Sequence, residues 1–188
     1  MHGLIFQKLQ DFVIDISSGE TWLKMKKEAG LEDIIFSPTR KYPDEYIEKF
    51  VALAQDHFEL ERDDVLEAFG KHMGPKLIQL FNFTIVPGWT ALEIIENTEE
   101  YIHKTLKTAD PNVDTPKLVV TRISGNELKL EYNSPRKMIA LGIGIVKAIG
   151  EAFGEQLTIT RKDTDEGTTL MIKKQLGHVW PARPQSTM

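Results

Sequence analysis

Two groups of residues carry side chains whose types and spacing could do chemistry. The first is His103. At about 100° per residue it stands about 20° from Leu92 and about 60° from Leu106 around a helix, on an arc shared with Trp89 and Ile95. An imidazole on a mainly apolar face has to find a hydrogen bond or a metal ion. Glu96 and Glu99 touch the same arc, so an ordinary satisfied histidine and a metal ligand both stand as readings. The second group is Tyr132-Asn133-Ser134-Pro135-Arg136. Alternate residues of an extended segment share a side, which places Tyr132, Ser134 and Arg136 together. A guanidinium and two hydroxyls can clamp a pair of carboxylates by charge-assisted hydrogen bonds. A polar strand-to-helix turn with a solvated arginine is the other reading.

Other chemistries lack their residues. The sequence has no phosphate loop, no Gly-x-Ser-x-Gly nucleophile elbow and no His-Glu-x-x-His helix. Gly142-Ile143-Gly144 is too bare for a dinucleotide fingerprint and reads as close helix packing. Asp63-Asp64 and Glu99-Glu100 read as helix caps or solvated faces, and His2, His57, His72 and His178 as surface or terminal residues. Cysteine is absent, which removes disulfides, iron–sulfur clusters and thiolate zinc sites; a transition metal would need His, carboxylate, Tyr or Met. With 23 basic against 28 acidic residues the net charge is −5, so nucleic acid is not an expected partner. The longest apolar run, Met138 to Val146, is nine residues. A bilayer span needs roughly 18, so no membrane association and a cytoplasmic location are expected.

These groups need elements to hold them. Leu4, Ile5, Leu9, Phe12, Val13 and Ile16 predict an amphipathic helix over 3–17. A second helix is bracketed by Gly19 and Gly30, with a left-handed cap at Gly30. Pro43 suits the first turn of a third, with Ile47, Phe50, Val51 and Ala54 inward. A fourth, capped by Asp63 or Asp64, buries Val65, Leu66, Phe69 and Met73 and should end or kink at Gly74-Pro75. Residues 89–107 then read as one long helix. After Pro116 the period changes: 117–123 and 127–133 predict a hairpin, 137–153 an apolar helix, and 156–162 and 168–174 two further strands joined by a turn from Asp163 to Gly167. The expected class is α+β, an N-terminal helical part followed by a four-stranded antiparallel sheet with an intervening helix. Residues 177–188 read as a flexible tail.

The start Met1-x-Gly3, the helix histidine His103, Pro116, and Tyr132-x-Ser134-x-Arg136 set 29 residues beyond that histidine together resemble the heme-nitric oxide/oxygen-binding (H-NOX) family. This is the bacterial relative of the heme domain of soluble guanylate cyclase. The resemblance covers about residues 1–176 and implies one sensor domain with heme b (iron protoporphyrin IX) between its helical and mixed parts. It makes His103 the proximal iron ligand. Tyr132, Ser134 and Arg136 would hold the heme propionates, and Pro116 would press on the porphyrin face. Ile5, Leu9, Met73, Leu77, Leu141 and Ile145 would form the distal wall. Dioxygen-binding members place a tyrosine where this chain has Leu141, and supporting polar groups where it has Leu9 and Met73. The cysteine-rich zinc site of some relatives cannot exist here.

Bound dioxygen acquires negative charge and benefits from a hydrogen-bond donor, whereas nitric oxide needs little such help. The expectation is a sensor, not an enzyme, that binds nitric oxide, and carbon monoxide more weakly, while excluding dioxygen. A chain of this length leaves no room for an output domain. The resemblance points to a separate histidine kinase or cyclic-di-GMP enzyme as the listener, with the sensor itself a monomer. A dioxygen-binding heme protein and a heme-free small-molecule or interaction module of the same fold are the alternatives.

Overall fold

Phe6, Leu9, Phe12 and Val13 recur at helical spacing, and that stripe is the buried face of α1 (Gly3–Ile16). The computed structural model describes residues 1–175 apart from Asn112 and Glu166; the tail read at 177–188 lies outside the described residues. Helix α2 (Gly19–Glu28) begins on Ser18, whose hydroxyl accepts from the Thr21 N–H. Past its end Gly30 takes a φ of 67°, and the Leu31 N–H closes back on the Lys26 carbonyl at 2.8 Å, as a left-handed cap requires. Helix α3 (Asp44–Phe58) buries Ile47, Phe50, Val51 and Ala54. Its Phe50 stacks on Trp22, and Phe36 stacks on Phe6, which ties the first three helices into one aromatic core.

Three helix expectations are corrected. Helix α4 (Arg62–Leu80) does not end at Gly74-Pro75 but runs through it. Proline costs an interior helix one hydrogen bond, yet Gly74 is wedged against Ala148 and Phe69 and Met73 are buried, so packing carries the helix across. Asp63 and Asp64 do not cap it: they sit in its first turn, where the helix dipole favours acid, and the cap position is Glu61. The helix read as continuous over 89–107 is instead three pieces: α5 (Ala91–Glu96), a π-helical turn (Thr98–His103) and α6 (Lys104–Ala109). At the break the Asn97 side chain donates to the Glu93 carbonyl and the Thr98 hydroxyl to that of Ile94. Side chains that bid for backbone carbonyls loosen the regular ladder.

Strands β1 (Lys117–Ser124), β2 (Glu127–Asn133), β3 (Leu157–Thr164) and β4 (Gly167–Lys174) form one antiparallel sheet in the order β1-β2-β4-β3. β3 and β4 run two residues and one residue further than read, so their turn is tighter than Asp163 to Gly167. Helix α7 (Ile139–Ala152) crosses from β2 to β3 and starts two residues later than expected, because Lys137 turns left-handed with a φ of 50°. The inner face of the sheet presents Leu128, Leu130, Tyr132, Leu170 and Ile172 to α5 and α7. This makes a second core beside the aromatic one, and Ile145 of α7 packs against both. Of Gly142-Ile143-Gly144, read as close helix packing, only Gly144 has that role: a Cβ on it would overlap the Glu67 carbonyl oxygen of α4, whereas one on Gly142 would meet only Ile139 at an ordinary distance. Among the described residues no helix is long and apolar enough to cross a membrane.

Candidate functional site

A cavity of about 270 Å³ lies where the two cores meet. Ile5 of α1, Met73 and Leu77 of α4, and Leu141 and Ile145 of α7 line it from the helical side. His103, Pro116, Tyr132, Ser134 and Arg136 line it from the other elements. So ten of the eleven residues singled out in the sequence share one space; the exception is Leu9, which is buried in the aromatic core and does not reach the cavity.

His103 ends the π-helical turn with its side chain only 13% exposed. Its Nδ1 lies 2.8 Å from Glu99 Oε2. An ionised carboxylate can only accept, so Nδ1 carries the proton and Nε2 keeps its lone pair. Burial holds the His103 imidazole below its ordinary pKa, against the opposing pull of Glu99. Burial alone would raise the Glu99 carboxyl, but the hydrogen bond from His103 and the Lys107 ammonium bring it below its usual value. The pair therefore stands as neutral imidazole and carboxylate near neutral pH, and neutral imidazole is the form that ligates a metal. Glu99 was legible as an arc neighbour of His103 in the sequence but not as its partner; the signal was the i,i+4 spacing.

The Tyr-x-Ser-x-Arg segment closes the site at the end of β2. The Met138 N–H donates to the Tyr132 hydroxyl at 3.3 Å, and the Arg136 N–H to the Ser134 hydroxyl at 3.3 Å. Each hydroxyl is thus used as an acceptor and keeps its own proton to give. Arg136 donates from Nε to Asp44 at 2.8 Å, from Nη1 to the Asp114 carbonyl at 3.1 Å and from Nη2 to the Asp114 carboxylate at 2.7 Å. A guanidinium has five N–H groups, so two of Arg136 are still available. The chain's first ammonium also reaches Asp44, which anchors this carboxylate from a second side.

Two imidazoles differ from their sequence reading. His2 lines the cavity and contacts Asp110 at 3.2 Å, and His72 contacts Asp15 at 2.8 Å with its Nδ1 buried and unpartnered. Neither is a plain surface residue. His57 is exposed as expected, and His178 lies outside the described residues.

The residues present fit an iron porphyrin. Among the described residues no cluster of three or more His, Asp or Glu could hold a bare ion, so a metal at His103 needs other ligands, as pyrrole nitrogens supply. The space beside it is apolar, as a macrocycle requires. At its polar rim the hydroxyl of Thr115, a residue that sequence reasoning missed, is buried without a partner. A buried hydroxyl with no hydrogen bond is costly, and an incoming carboxylate would satisfy it.

Comparisons with known proteins agree with this geometry. The fold matches an H-NOX protein from S. oneidensis in its Fe(II)NO state with a TM-score of 0.88, at 18% identity over 94% of this chain and 100% of that one. It matches the unliganded Fe(II) H-NOX protein from K. algicida with a TM-score of 0.83, at 19% identity over 96% of this chain and 100% of that one. The Shewanella oneidensis H-NOX domain in its Fe(II)CO state gives 0.84, at 18% identity over 93% of this chain and 99% of that one. No curated protein sequence matches. Those identities carry the fold alone, but a sequence model of a family described as "Haem-NO-binding" matches residues 2–161. A match over that much of the chain, on a fold with an apolar cavity that gathers His103 and the Tyr-x-Ser-x-Arg residues, places this chain in the haem-NO-binding, or H-NOX, family.

Proposed function

We propose that this chain is a nitric oxide sensor that carries heme b on His103, excludes dioxygen, and regulates a separate signalling enzyme such as a histidine kinase or a cyclic-di-GMP enzyme. The observation that carries the reading is the shared cavity of His103 with an apolar set, Ile5, Met73, Leu77, Leu141 and Ile145. None of those side chains donates a hydrogen bond. Nitric oxide needs no donor, carbon monoxide binds more weakly, and dioxygen is left without stabilisation. The S. oneidensis neighbours solved with NO and with CO support the choice of gases.

A bound heme would supply a ferrous iron with one coordination position open to a diatomic gas. The chain's own residues then do two things. Tyr132, Ser134 and Arg136 hold the propionates and orient the plate, with Arg136 still tied to Asp44 at the start of α3 and to Asp114 ahead of β1. His103 would hold the metal from the junction of the π-helical turn and α6. The turn from Thr98 to His103 that would carry this ligand is looser than an α-helix and lies against β1, so it could shift if His103 let go. Ile5 and Pro116 line the same cavity, so the change reaches α1, a two-state element biased by the gas. Heme enzymes acting on peroxide need polar distal groups, and no such group stands at the mapped positions.

An absorption spectrum of the purified ferrous protein before and after NO tests the reading. The expected result is a heme band that shifts with NO and no stable oxygenated form in air; a colourless protein, or a stable oxygenated one, rejects it. For the mechanism, heme-loaded His103→Gly should reproduce, without NO, the amide-exchange pattern of α1 seen in NO-treated wild type. A wild-type resting pattern would break the link between tether and helix.

A further inference from the structure

We propose that Glu99 is a positioning residue for His103: its carboxylate fixes the imidazole tautomer and orientation, and so sets how firmly Nε2 holds the iron. This rests on the heme reading above.

Three observations carry it. Glu99 Oε2 lies 2.8 Å from His103 Nδ1, a short charge-assisted hydrogen bond within one turn of the same element. Glu99 is itself held, because Lys107 Nζ donates to its other oxygen, Oε1, at 3.1 Å. And both acidic residues of the run Glu99-Glu100 have i,i+4 partners, yet only one partner faces the cavity. Glu100 pairs with Lys104, and each of these side chains is 65% exposed. His103 is 13% exposed and lines the cavity. The outer pair is an ordinary solvated contact, screened by water. The inner one acts on a ring that is largely shielded and lines the cavity.

The chemistry follows from the donor inventory. Imidazole has one proton to place on two nitrogens. With a carboxylate beside Nδ1 the proton stays there, and Nε2 is left as the lone-pair nitrogen. The anion also pushes electron density into the ring and makes Nε2 a stronger donor, as carboxylate partners of metal-bound histidines do elsewhere. Without Glu99, the proton can move to Nε2 and the ring can rotate, and both weaken the tether on which gas signalling depends. Glu99 thereby sets the threshold at which NO releases His103.

The test uses the heme-loaded protein and three variants. Glu99→Gln, isosteric and uncharged, should move the ferrous iron–histidine stretch in resonance Raman to lower wavenumber and raise the fraction of His103 released at saturating NO. Glu99→Leu should do so further and speed heme transfer to excess apomyoglobin by about tenfold or more. Glu100→Gln should leave all three readouts at wild-type values. An unchanged stretch in Glu99→Gln overturns the proposal, whether or not Glu99→Leu folds, and so does an equal shift in Glu100→Gln. These results leave the heme reading intact, whereas a wild-type protein with no iron–histidine stretch would remove both.

Discussion

Gly70 and Gly144 meet backbone to backbone where α4 crosses α7: a Cβ built on Gly144 would stand 2.9 Å from Gly70 Cα, and one on Gly70 would stand 3.0 Å from Gly144 Cα. Real Cβ atoms do not approach that closely, so neither position accepts a side chain unless the helices part. This contact sets the site. Met73 and Leu77 follow Gly70 on α4, and Leu141 and Ile145 flank Gly144 on α7. All four line the cavity, so most of its apolar wall comes from one helix pair clamped where the two backbones meet.

Gly144→Ala should therefore destabilise the fold by about 3 kcal/mol, the upper end of what overpacking costs, because backbone and not a flexible side chain lies in the way. Gly142→Ala has the opposite expectation. Its Cβ would meet only Ile139 Cδ1 at 3.8 Å, an ordinary contact, and alanine in place of a helical glycine gains about 0.5–1 kcal/mol. Urea unfolding followed by far-UV circular dichroism reads both signs. A Gly144→Ala midpoint within error of wild type would show that the helices are not clamped here.

How much of this was legible in the sequence depends on which force decided each element. Alternation and helical periodicity placed every strand and most helices, because burial of one face is a local pattern that the chain writes directly. Pro75 misled because its cost is local while its compensation, Gly74 against Ala148, comes from far along the chain. The break at Asn97-Thr98 was hidden for the opposite reason: two polar side chains turn back on their own helix, which periodicity does not register. Leu9 and Leu77 look alike in a helical pattern, and only the way α1 rolls on α4 puts one in the core and the other in the cavity. The Asp44 and Asp114 partners of Arg136 are separated from it by 92 and 22 residues, beyond any spacing rule.

Arg136→Ala should loosen the heme. The guanidinium forks between Asp44 and Asp114 with two N–H groups to spare, and hydrogen bonds to charged groups are each worth about 1.5–3 kcal/mol. Heme dissociation should accelerate by about 10- to 100-fold. Arg136→Lys, which keeps the charge but not the planar fork, should fall between. If the lysine variant matched wild type, charge and not geometry would account for the effect of Arg136.

Acid should weaken the start of α5 through Glu93. This carboxylate accepts from the Thr90 N–H at 2.9 Å, from the Thr90 hydroxyl, and from Arg122 of β1 at 3.1 Å. The Thr90 hydroxyl bond, opposed by partial burial and helped by the backbone bond and Arg122, takes the Glu93 carboxyl below its ordinary value. A lowered folded-state value means that the unfolded chain binds the proton first. The stabilisation is then whole above the ordinary carboxylate range and disappears as pH falls through the folded-state value. Urea midpoints of wild type and Glu93→Gln should differ near neutral pH and converge in acid, below the ordinary carboxylate range. A difference that stayed constant across that range would assign the effect to packing.

Leu141→Tyr should convert the gas preference. Leu141 lines the cavity beside Ile145, and leucine offers no proton to a bound gas. A phenolic hydroxyl there can donate to dioxygen once the gas has taken on negative charge, and a hydrogen bond to a charged acceptor is worth about 1.5–3 kcal/mol, or about 10- to 100-fold in retention. Nitric oxide carries little charge and should bind the variant nearly as well as wild type. The ferrous variant should therefore hold an oxygenated spectrum in air that wild type lacks, while both still respond to NO. Tyrosine is larger than leucine, so the far-UV circular dichroism of the variant has to match wild type for the comparison to count. Met73 and Leu77 cannot support the new hydroxyl with polar contacts, so the gain should stop short of the full range unless Met73 is also replaced by a hydrogen-bonding residue. A folded Leu141→Tyr that oxidises in air as fast as wild type would refute the role proposed for the missing donor.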